Sequence, residues 1–354
     1  MINVAMLSKW HVHAEDYAKQ AEANEDLAIK LVWDEDSERG QKWAEKLGVP
    51  FEGDLEKVLA NPEIDAVIVD TPTHLHKEVI LKAAKHKKHI FTEKVLAFTV
   101  AECEEIFAAV KENNCELMVS LPRLTENYYL YAQQVVDQGL LGKITTLRCR
   151  LAHNGAVSSE AHPNGWLPAH FFNKEQCGGG ALIDLGAHPI YLTNRLGGPA
   201  QAVNARLQQT NGLDVDDNAV VLVDYQSGAL GIIEAGFLSG GSPFQLQVYG
   251  TEGTLLIEDN TIRIQAKKLG QGWQTPEELP VALPMPMKQW VHRILGATAP
   301  SITEEDVRNL TLINETAKRS HEENRRVEVR EIVENGKAKT VCQKPGVETV
   351  ERGV

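Results

Sequence analysis

The chain has 354 residues, enough for about two to three domains and a sizeable core, which excludes a miniprotein or a fibrous protein. It has 49 acidic and 36 basic residues, a formal net charge of −13, and an ordinary globular composition with 43% hydrophobic and 24% charged residues. The acidic balance, with no basic run interleaved with aromatics, argues against nucleic acid or an anionic membrane as a partner.

The N-terminus and the cysteines favour a cytoplasmic protein. Residues 1–7 lack the basic segment and the long apolar stretch of a signal peptide, and no apolar run approaches the ~18 residues that a membrane span needs. The five cysteines are odd in number and include no Cys-x-x-Cys pair, so neither a disulfide framework nor a thiolate zinc site is indicated. We therefore expect a reducing, cytoplasmic location.

The first 120 residues alternate strand-like and helix-like segments. Strands are predicted at Ile2–Leu7, Ala28–Trp33, Ala66–Val69, His89–Phe91 and Glu116–Val119. Helices are predicted at His13–Ala23, Ser37–Leu47, Glu78–Ala84 and after Thr99, which forms a capping-box pattern with Glu102. This alternation predicts an α/β fold with right-handed crossovers, in which residues 1–120 form a Rossmann-like, doubly wound parallel sheet.

After about residue 120 strand-like runs follow one another with turn signals between them. They are Ile144–Leu151, Ala202–Gln208, Ala219–Asp224, Ala229–Ala235, Gln245–Tyr249, Thr254–Glu258 and Thr261–Gln265. Helices are predicted at Gly180–Leu196 and Thr303–Asn324. The pattern predicts an α+β domain with an open antiparallel sheet over residues 121–330, and residues 331–354 are predicted to be a loosely packed tail.

The turn after the first strand lacks the glycines of a dinucleotide-binding motif. Residues 8–13 read Ser-Lys-Trp-His-Val-His, whereas Gly-x-Gly-x-x-Gly lets the backbone approach a pyrophosphate. Ser8 could offer a hydroxyl and an amide to a phosphate, and Lys9 a positive charge. Trp10 and His11 could cover the nicotinamide-proximal pocket or simply fill volume. The alternative is a Rossmann-like half that has lost nucleotide affinity.

The end of the second strand favours NAD. Asp34 stands where NAD enzymes bond the ribose hydroxyls and where a 2′-phosphate would be repelled. Two alternatives stay open: Asp34 could be an N-cap or turn residue before Ser37, and Arg39 could accommodate the phosphate of NADP.

Three further segments carry polar groups at positions suited to ligand binding. Residues 70–76 and 92–95 follow predicted strands and should lie at the carboxyl edge of the sheet, where α/β folds bind ligands. Three glycines precede Asp184 and His188, which would share one face of a helix. The glycines would allow a ligand to approach closely, and an acid beside an imidazole suits hydroxyl recognition and proton transfer.

These segments resemble the Gfo/Idh/MocA oxidoreductases, NAD(P)-dependent enzymes that act on sugars and cyclitols. The resemblance spans nearly the whole chain and includes Ala83–Ile90, Asp137–Ile144, Tyr249–Leu255 and Ser320–Asn324. It implies a homo-oligomer, a dimer or a tetramer, with a small carbohydrate or cyclitol as substrate.

The resemblance also implies a catalytic group. Glu93-Lys94 is similar to the family's Glu-Lys-Pro motif, with Val95 in place of proline, and implies that Lys94 contacts both substrate and nicotinamide. His188 is implied as the acid/base and Asp184 as a substrate-orienting carboxylate. A neutral His188, or a Lys94 of lowered pKa, could accept the hydroxyl proton when hydride moves to nicotinamide.

Other residues follow by the same resemblance. Thr71, Pro72, Thr73 and His76 are implied to pack around the nicotinamide and ribose. Arg123 matches a common substrate-side arginine, with a surface anchor as its alternative. Trp166 could stack on a sugar ring or be a core aromatic.

We therefore expect an oxidoreductase that acts on a secondary hydroxyl and uses NAD, with NADP as the alternative cofactor. The alternatives are a redox-neutral glycosidase or lyase that retains its NAD, and a non-catalytic sugar-binding protein. The His11/His13 and His74/His76 pairs raise the question of a metal, but their spacing matches neither a helical His-x-x-x-His nor a Cys/His site, so none is expected.

Overall fold

The computed structural model describes residues 1–163, 165–297 and 299–334. Most of the predicted tail, residues 335–354, lies outside the described residues, while residues 331–334 are helical. Within the described ranges, no helix combines the length and the apolar character that a membrane crossing requires.

The N-terminal half contains the predicted parallel sheet, with strand order β2-β1-β3-β4-β5. Its strands are β1 (Ile2–Leu7), β2 (Leu27–Trp33), β3 (Ala66–Val69), β4 (His89–Thr92) and β5 (Leu117–Val119). Its helices are α1 (Ala14–Glu22), α2 (Ser37–Leu47), α3 (Leu55–Ala60), α4 (Thr73–Lys85) and α5 (Val100–Glu112). The strand order reverses between β1 and β3, so the loops after these strands border the crevice in which such sheets bind ligands.

Side-chain caps explain where two of these helices begin. Thr99 forms the predicted capping box with Glu102, because each side chain accepts a hydrogen bond from the backbone amide of the other. Asp36 caps α2 by accepting from the amides of Glu38 and Arg39. The N-cap before α2 is therefore Asp36 and not Asp34.

The second half is built on an eight-stranded sheet with the order β12-β11-β10-β6-β9-β8-β7-β13. Its strands are β6 (Ile144–Ala152), β7 (Ala200–Gln208), β8 (Asn218–Tyr225), β9 (Leu230–Gly236), β10 (Gln245–Gly250), β11 (Gly253–Glu258), β12 (Thr261–Ala266) and β13 (Val327–Glu328). Its helices are α6 (Asn127–Asp137), α7 (Lys174–Cys177), α8 (Ala187–Gly197), α9 (Pro286–Ile294) and α10 (Glu304–Glu323).

This sheet is mostly antiparallel, but it is mixed. Strand β6 inserts between β10 and β9 and runs parallel to β9, with Cys149 beside Ile233. The sheet is therefore not a simple meander. Strands β6 and β9 are neighbours in the sheet, but in the sequence they are separated by a long connection that contains α8, β7 and β8. Helices α8 and α10 cover one face, and Val220, Leu222 and Leu230 are exposed on the sheet.

Two late helices pack against the N-terminal half. Trp290 of α9 is fully buried, donates from Nε1 to the Glu116 carbonyl at 3.2 Å, and has its ring centroid 5.7 Å from that of Phe91 in β4. Helix α10 packs on α5 as well as on α8 and β7. The predicted boundary at residue 120 thus separates two segments of sequence that share one hydrophobic core.

Candidate active site

The segment that carries Asp184 is an irregular turn and not the predicted start of a helix. Helix α8 begins at Ala187 instead of Gly180, so Asp184 and His188 do not share a helical face. The carboxylate of Asp216 accepts hydrogen bonds of 2.8 Å from the amides of Gly180 and Leu182. Together with the Ala181 amide, which donates to the Asp216 carbonyl oxygen at 2.7 Å, these bonds fix the start of the segment against Asp216.

The glycines of this turn serve mainly packing. A Cβ added at Gly180 would lie 2.0 Å from the carbonyl oxygen of Asp216, and one at Gly178, where φ is +78°, would lie 2.3 Å from the Phe98 ring. Gly179 would meet only ordinary contacts and lines the cavity described below. The expectation that the glycines admit a ligand therefore applies to Gly179 alone.

The buried Lys94 forms an ion pair with the partly buried Asp184. The Lys94 Nζ atom lies 2.6 Å from Asp184 Oδ1 and 2.9 Å from the Asp184 carbonyl oxygen. Burial lowers the pKa of Lys94, but Asp184 and Glu93 more than offset this, and the net pKa is raised. The predicted Lys94 of lowered pKa is therefore wrong, because the ammonium keeps its proton and acts as a hydrogen-bond donor. The Lys94–Val95 peptide bond is cis.

His188 is the neutral base candidate. Burial, followed by the charges of Lys94 and Arg123, holds the pKa of His188 well below its usual value. Its Nδ1 lies 2.6 Å from the Tyr191 hydroxyl, which also accepts from the Arg123 amide at 3.3 Å. When Nδ1–H donates to Tyr191, Nε2 keeps a lone pair that can take a proton. Sequence reasoning missed Tyr191, although its i+3 spacing from His188 on a helix was a usable signal.

A small cavity of about 20 Å³ lies at the Lys94–Asp184 pair. It is lined by Trp10, His11, Thr73, Lys94, Val95, Phe171, Cys177, Gly179, Ile183 and Asp184. This volume suits roughly one water molecule. The Trp10 ring stacks on Phe171 at 5.2 Å and its Nε1 donates to Gln176 at 3.2 Å. Trp10 therefore both covers the cavity and fills volume, and it joins the first turn to the second half.

A larger cavity of about 400 Å³ lies between α10 and residues 178–183. Lys94, Asp184 and His188 are not among the residues that line it. Lys94 and Asp184 line the smaller of these two cavities and His188 lines neither, so we assign the candidate chemistry to the smaller cavity on the Lys94–Asp184 pair.

The glycine-free turn is bonded to the protein along most of its length. Ser8 adopts φ +77°, the left-handed conformation that glycine favours. The amides of residues 8, 9, 10, 11, 13 and 14 all donate to acceptors within the protein. The Lys9 Nζ lies 3.1 Å from the Glu15 carboxylate. A phosphate at this turn would meet side-chain cations, and would reach these amides only where it displaced their present acceptors.

A groove of about 310 Å³ lies beside this turn, near the carboxyl ends of β1, β2 and β3. It is lined by Trp10, Glu35, Asp36, Arg39, Pro72, His74, Leu75, His170 and Gln176. A groove at the switch point of the sheet, with the Arg39 cation and apolar surfaces, fits a dinucleotide.

Asp34 lies behind this groove in a bidentate pair with Arg39. Its Oδ1 and Oδ2 accept from the guanidinium at 2.5 and 2.9 Å, and from the amides of Asp36 and Lys9 at 2.8 Å each. The predicted contact of Asp34 with a ribose therefore competes with Arg39.

Thr71 and Pro72 lie in the loop after β3, whereas Thr73 and His76 lie in the first turn of α4, which begins five residues before the predicted Glu78. Thr73 lines the small cavity and Pro72 the groove. His76 is fully buried, with Nε2 at 3.1 Å from the Thr71 carbonyl oxygen and Nδ1 at 3.0 Å from that of Val95. His76 therefore joins the loops after β3 and β4, and its ring nitrogens already have neighbours.

Arg123 is partly buried beside His188. Its guanidinium lies 4.7 Å from the Phe244 ring centroid and donates to the Tyr128 hydroxyl at 3.1 Å. The alternative of a purely surface anchor is wrong.

Trp166 is 46% exposed, so the alternative of a core aromatic is wrong as well. Its Nε1 donates to Asn154 at 3.1 Å, and its ring lies 4.7 Å from that of His153. Trp166 does not line the small cavity.

Family comparisons match both halves of the chain. Residues 10–121 match a model described as "Oxidoreductase family, NAD-binding Rossmann fold", and residues 129–256 match one described as "GFO/IDH/MocA C-terminal domain". The chain belongs to the Gfo/Idh/MocA family.

The chain shares about a quarter to a third of its residues with individual members of the Gfo/Idh/MocA family over the matched regions. The chain is 31% identical to scyllo-inositol 2-dehydrogenase (NAD(+)) of Bacillus subtilis over 64% of each protein. It is 24% identical to myo-inositol 2-dehydrogenase of Thermotoga maritima over 90% of this chain and 96% of that one. The matched region spans only 41%, 58% and 64% of the lengths of three curated relatives. A levoglucosan dehydrogenase structure in complex with NADH and levoglucosan shares the fold, with a TM-score of 0.80, 22% identity and coverage of 93% of this chain and 99% of that chain.

The Gfo/Idh/MocA-like Glu-Lys segment places Glu93 in a cluster that the sequence did not predict. Glu93 Oε2 lies 3.0 Å from His13 Nδ1 and 3.8 Å from His11 Nδ1, and it accepts from the Tyr17 hydroxyl. Burial opposes ionisation of Glu93, but the two histidines outweigh it and hold its pKa well below the usual range. Burial lowers the pKa of His11 to about 3. For His13 burial acts in the same direction, but Glu93 outweighs it and raises the pKa.

Proposed function

We propose that the protein is an NAD(P)-dependent oxidoreductase that transfers hydride between nicotinamide and a secondary hydroxyl or ketone of a sugar, sugar derivative or cyclitol. One observation carries the proposal: the Lys94–Asp184 ion pair lies at the carboxyl edge of a Rossmann-like sheet, close enough to His188 for their charges to interact. The positive charge of Lys94 helps to lower the pKa of His188 and so keeps its imidazole neutral. The names of the inositol and levoglucosan dehydrogenases described above support the substrate class.

Each group has a separate task in this proposal. Bound nicotinamide supplies the hydride acceptor or donor. His188 Nε2 accepts the hydroxyl proton during oxidation and returns it during reduction. Lys94 donates a hydrogen bond to the same oxygen and stabilises the negative charge that develops there. Asp184 keeps Lys94 protonated and orients it, while Arg123 and Trp166 bind parts of the substrate farther from the reacting carbon.

The cofactor contacts are assigned to the groove and the turn. We assign Ser8, Lys9, Trp10 and His11 from the turn, Asp34 behind the groove, and Glu93 and Lys94 at the nicotinamide end. The segment after β3 contributes Thr71 and Pro72 from the loop and Thr73 and His76 from the start of α4, with Thr71 and His76 acting through the position of this segment. NAD is the expected cofactor, and the Arg39 guanidinium makes NADP an alternative.

A redox-neutral glycosidase or lyase is the second candidate. The stacked rings of Trp10 and Phe171 beside the cavity favour it, since such a cover would help to retain a cofactor through a cycle that returns the hydride. This candidate expects cofactor to remain after purification and no net NADH to form.

We further propose a homo-oligomer and a cytoplasmic location. Val220, Leu222 and Leu230 are each more than a third exposed on the large sheet, which supports a dimer or tetramer interface there. The four cysteines of the described residues are buried and unpaired, which supports a reducing compartment.

The first test is a fluorescence titration of cofactor-free protein with NADH and, separately, with NADPH. Binding of either, followed by turnover with a panel of sugars and cyclitols, supports the proposal. Binding of neither overturns it and favours a non-catalytic sugar-binding protein, the alternative consistent with the engaged amides of the first turn.

A further inference from the structure

Two histidines and a glutamate from separate loops meet beside the candidate active site. His11 and His13 lie in the turn after β1, whereas Glu93 follows β4, 80 residues beyond His13. One ligand atom from each residue lies within 4.8 Å of the others. The geometry points to a binding site for a divalent transition-metal ion, formed by His11, His13 and Glu93.

The distances between the three ligand atoms suit a single ion. Ligands bound tetrahedrally to Zn²⁺ at about 2.0–2.2 Å lie about 3.4 Å from one another. Glu93 Oε2 lies 3.0 Å from His13 Nδ1 and 3.8 Å from His11 Nδ1, on either side of that value. The two histidine ligand atoms lie within 4.8 Å of one another. His11 Nδ1 accepts from the His13 amide at 3.2 Å, so an ion bound at this atom would replace that hydrogen bond.

The donor set specifies the class of metal. Two imidazole nitrogens and one carboxylate oxygen are typical of Zn²⁺ and Fe²⁺ sites that keep an open coordination position, whereas Mg²⁺ and Ca²⁺ prefer oxygen ligands. His11 also lines the small cavity together with Lys94 and Asp184. The ion would therefore border the cavity, where an oxygen ligand can complete its coordination.

The surroundings orient the ligands and leave a route for the ion. The Lys94 amide donates to Glu93 Oε1 at 2.9 Å and the Tyr17 hydroxyl donates to Oε2, so both carboxylate oxygens are positioned. His11 and Glu93 are buried, but the His13 side chain is 40% exposed. An ion can therefore enter from solvent at His13.

The local charge also favours a cation. The Glu93 carboxylate lies among the three ligand atoms, and Asp184 adds a second carboxylate beside the single ammonium of Lys94.

A metal titration tests the inference without any need for turnover. Tag-free protein is stripped with a chelator, dialysed and titrated with Co²⁺, followed by visible absorption, and Zn²⁺ content is measured after gel filtration. We expect one equivalent of either ion and the absorption bands of four- or five-coordinate Co²⁺. Since nicotinamide is absent from the assay, failure here is distinguishable from failure of the proposed oxidoreductase function.

Substitutions locate the ion. His13→Ala should weaken Co²⁺ binding about 100-fold or more, since even residues outside the ligand shell typically contribute 10–100-fold. Tyr17→Phe should weaken it about tenfold. His86→Ala is the matched control and should bind as wild type, because His86 pairs with Glu56 at 3.1 Å and neither residue belongs to the cluster. If His13→Ala does not fold, folded His13→Asn gives the same comparison. Wild-type protein without a Co²⁺ spectrum, or a His13 variant that binds as wild type does, overturns the proposal.

Discussion

Arg39 forms a bidentate pair with Asp34, the carboxylate at the end of β2 where a ribose contact was expected. Both oxygens of that carboxylate accept hydrogen bonds from the guanidinium, and the Arg39 side chain lines the groove. The choice between NAD and NADP therefore depends on both residues: the Asp34 carboxylate would repel a 2′-phosphate, and the Arg39 guanidinium would attract it.

Arg39→Ala should shift cofactor preference toward NADH. The change frees Asp34 to accept ribose hydroxyls and to repel a 2′-phosphate, so the affinity for NADPH relative to NADH should fall at least about tenfold. Fluorescence titration of both cofactors measures the ratio. Lys42→Ala is the control, because Lys42 pairs with Glu38 in the exposed part of the same helix. An unchanged ratio in the Arg39 variant would show that this pair does not set the preference.

His188→Ala should lower kcat by about 10²–10⁴ while NADH binding is kept, because it removes the proton acceptor and not the groove. Lys94→Ala should cost a comparable factor, since Asp184 would be left buried without its cation. Steady-state kinetics with an active sugar or cyclitol, together with circular dichroism for folding, checks both. Near-full activity in both folded variants contradicts the catalytic assignment.

His76→Gln should make the stability of the protein less dependent on pH. Burial lowers the pKa of His76, so below pH 6.5 the unfolded chain binds a proton at this position that the folded chain does not. This term makes the free energy of unfolding decrease as pH falls, by about 1.4 kcal/mol per pH unit until the folded pKa is reached. Urea unfolding of wild type and variant at pH 7.5 and 5.5 gives the difference in slope. Parallel slopes would mean that His76 titrates alike in both states.

Gly180→Ala should destabilise the turn that carries Asp184. The new Cβ would lie 2.0 Å from the Asp216 carbonyl oxygen, and overpacking of this kind costs about 1–3 kcal/mol. Activity should fall as well, because Asp184 moves with the turn. Gly179→Ala is the neighbouring control for stability, since its Cβ would meet nothing closer than 3.4 Å. Equal midpoints of urea unfolding for the two variants would refute the packing argument.

The elements set by local signals were predictable from the sequence. Strand β1 and helix α2 have the predicted bounds, Ile2–Leu7 and Ser37–Leu47, because a β-branched run and a capping residue act within a few positions. The capping box at Thr99 was visible for the same reason. Helix α3 was missed, since its six residues are too few to show a helical periodicity.

Features of the site that depend on distant partners were not predictable. Residues 180–186 have a helix-like apolar pattern, but Asp216, 36 residues beyond Gly180, accepts hydrogen bonds from the amides of residues 180–182 and fixes the backbone there. The raised pKa of Lys94 depends on Asp184, 90 residues away. The spacing of His11 and His13 gave no indication of a third group, because Glu93 joins them only when the sheet is assembled.

The contact between Trp290 and Phe91 affects how this enzyme can be recombined with its relatives. Strand β4 leads directly into Glu93 and Lys94, and its outer surface is covered by α9, from the far end of the chain. A chimera that joins residues 1–120 to the second half of a relative would also replace Trp290, the side chain that packs against Phe91 of β4. If Trp166 has its proposed role, new substrate specificity would be acquired more readily through the loops around it than through exchange of whole halves.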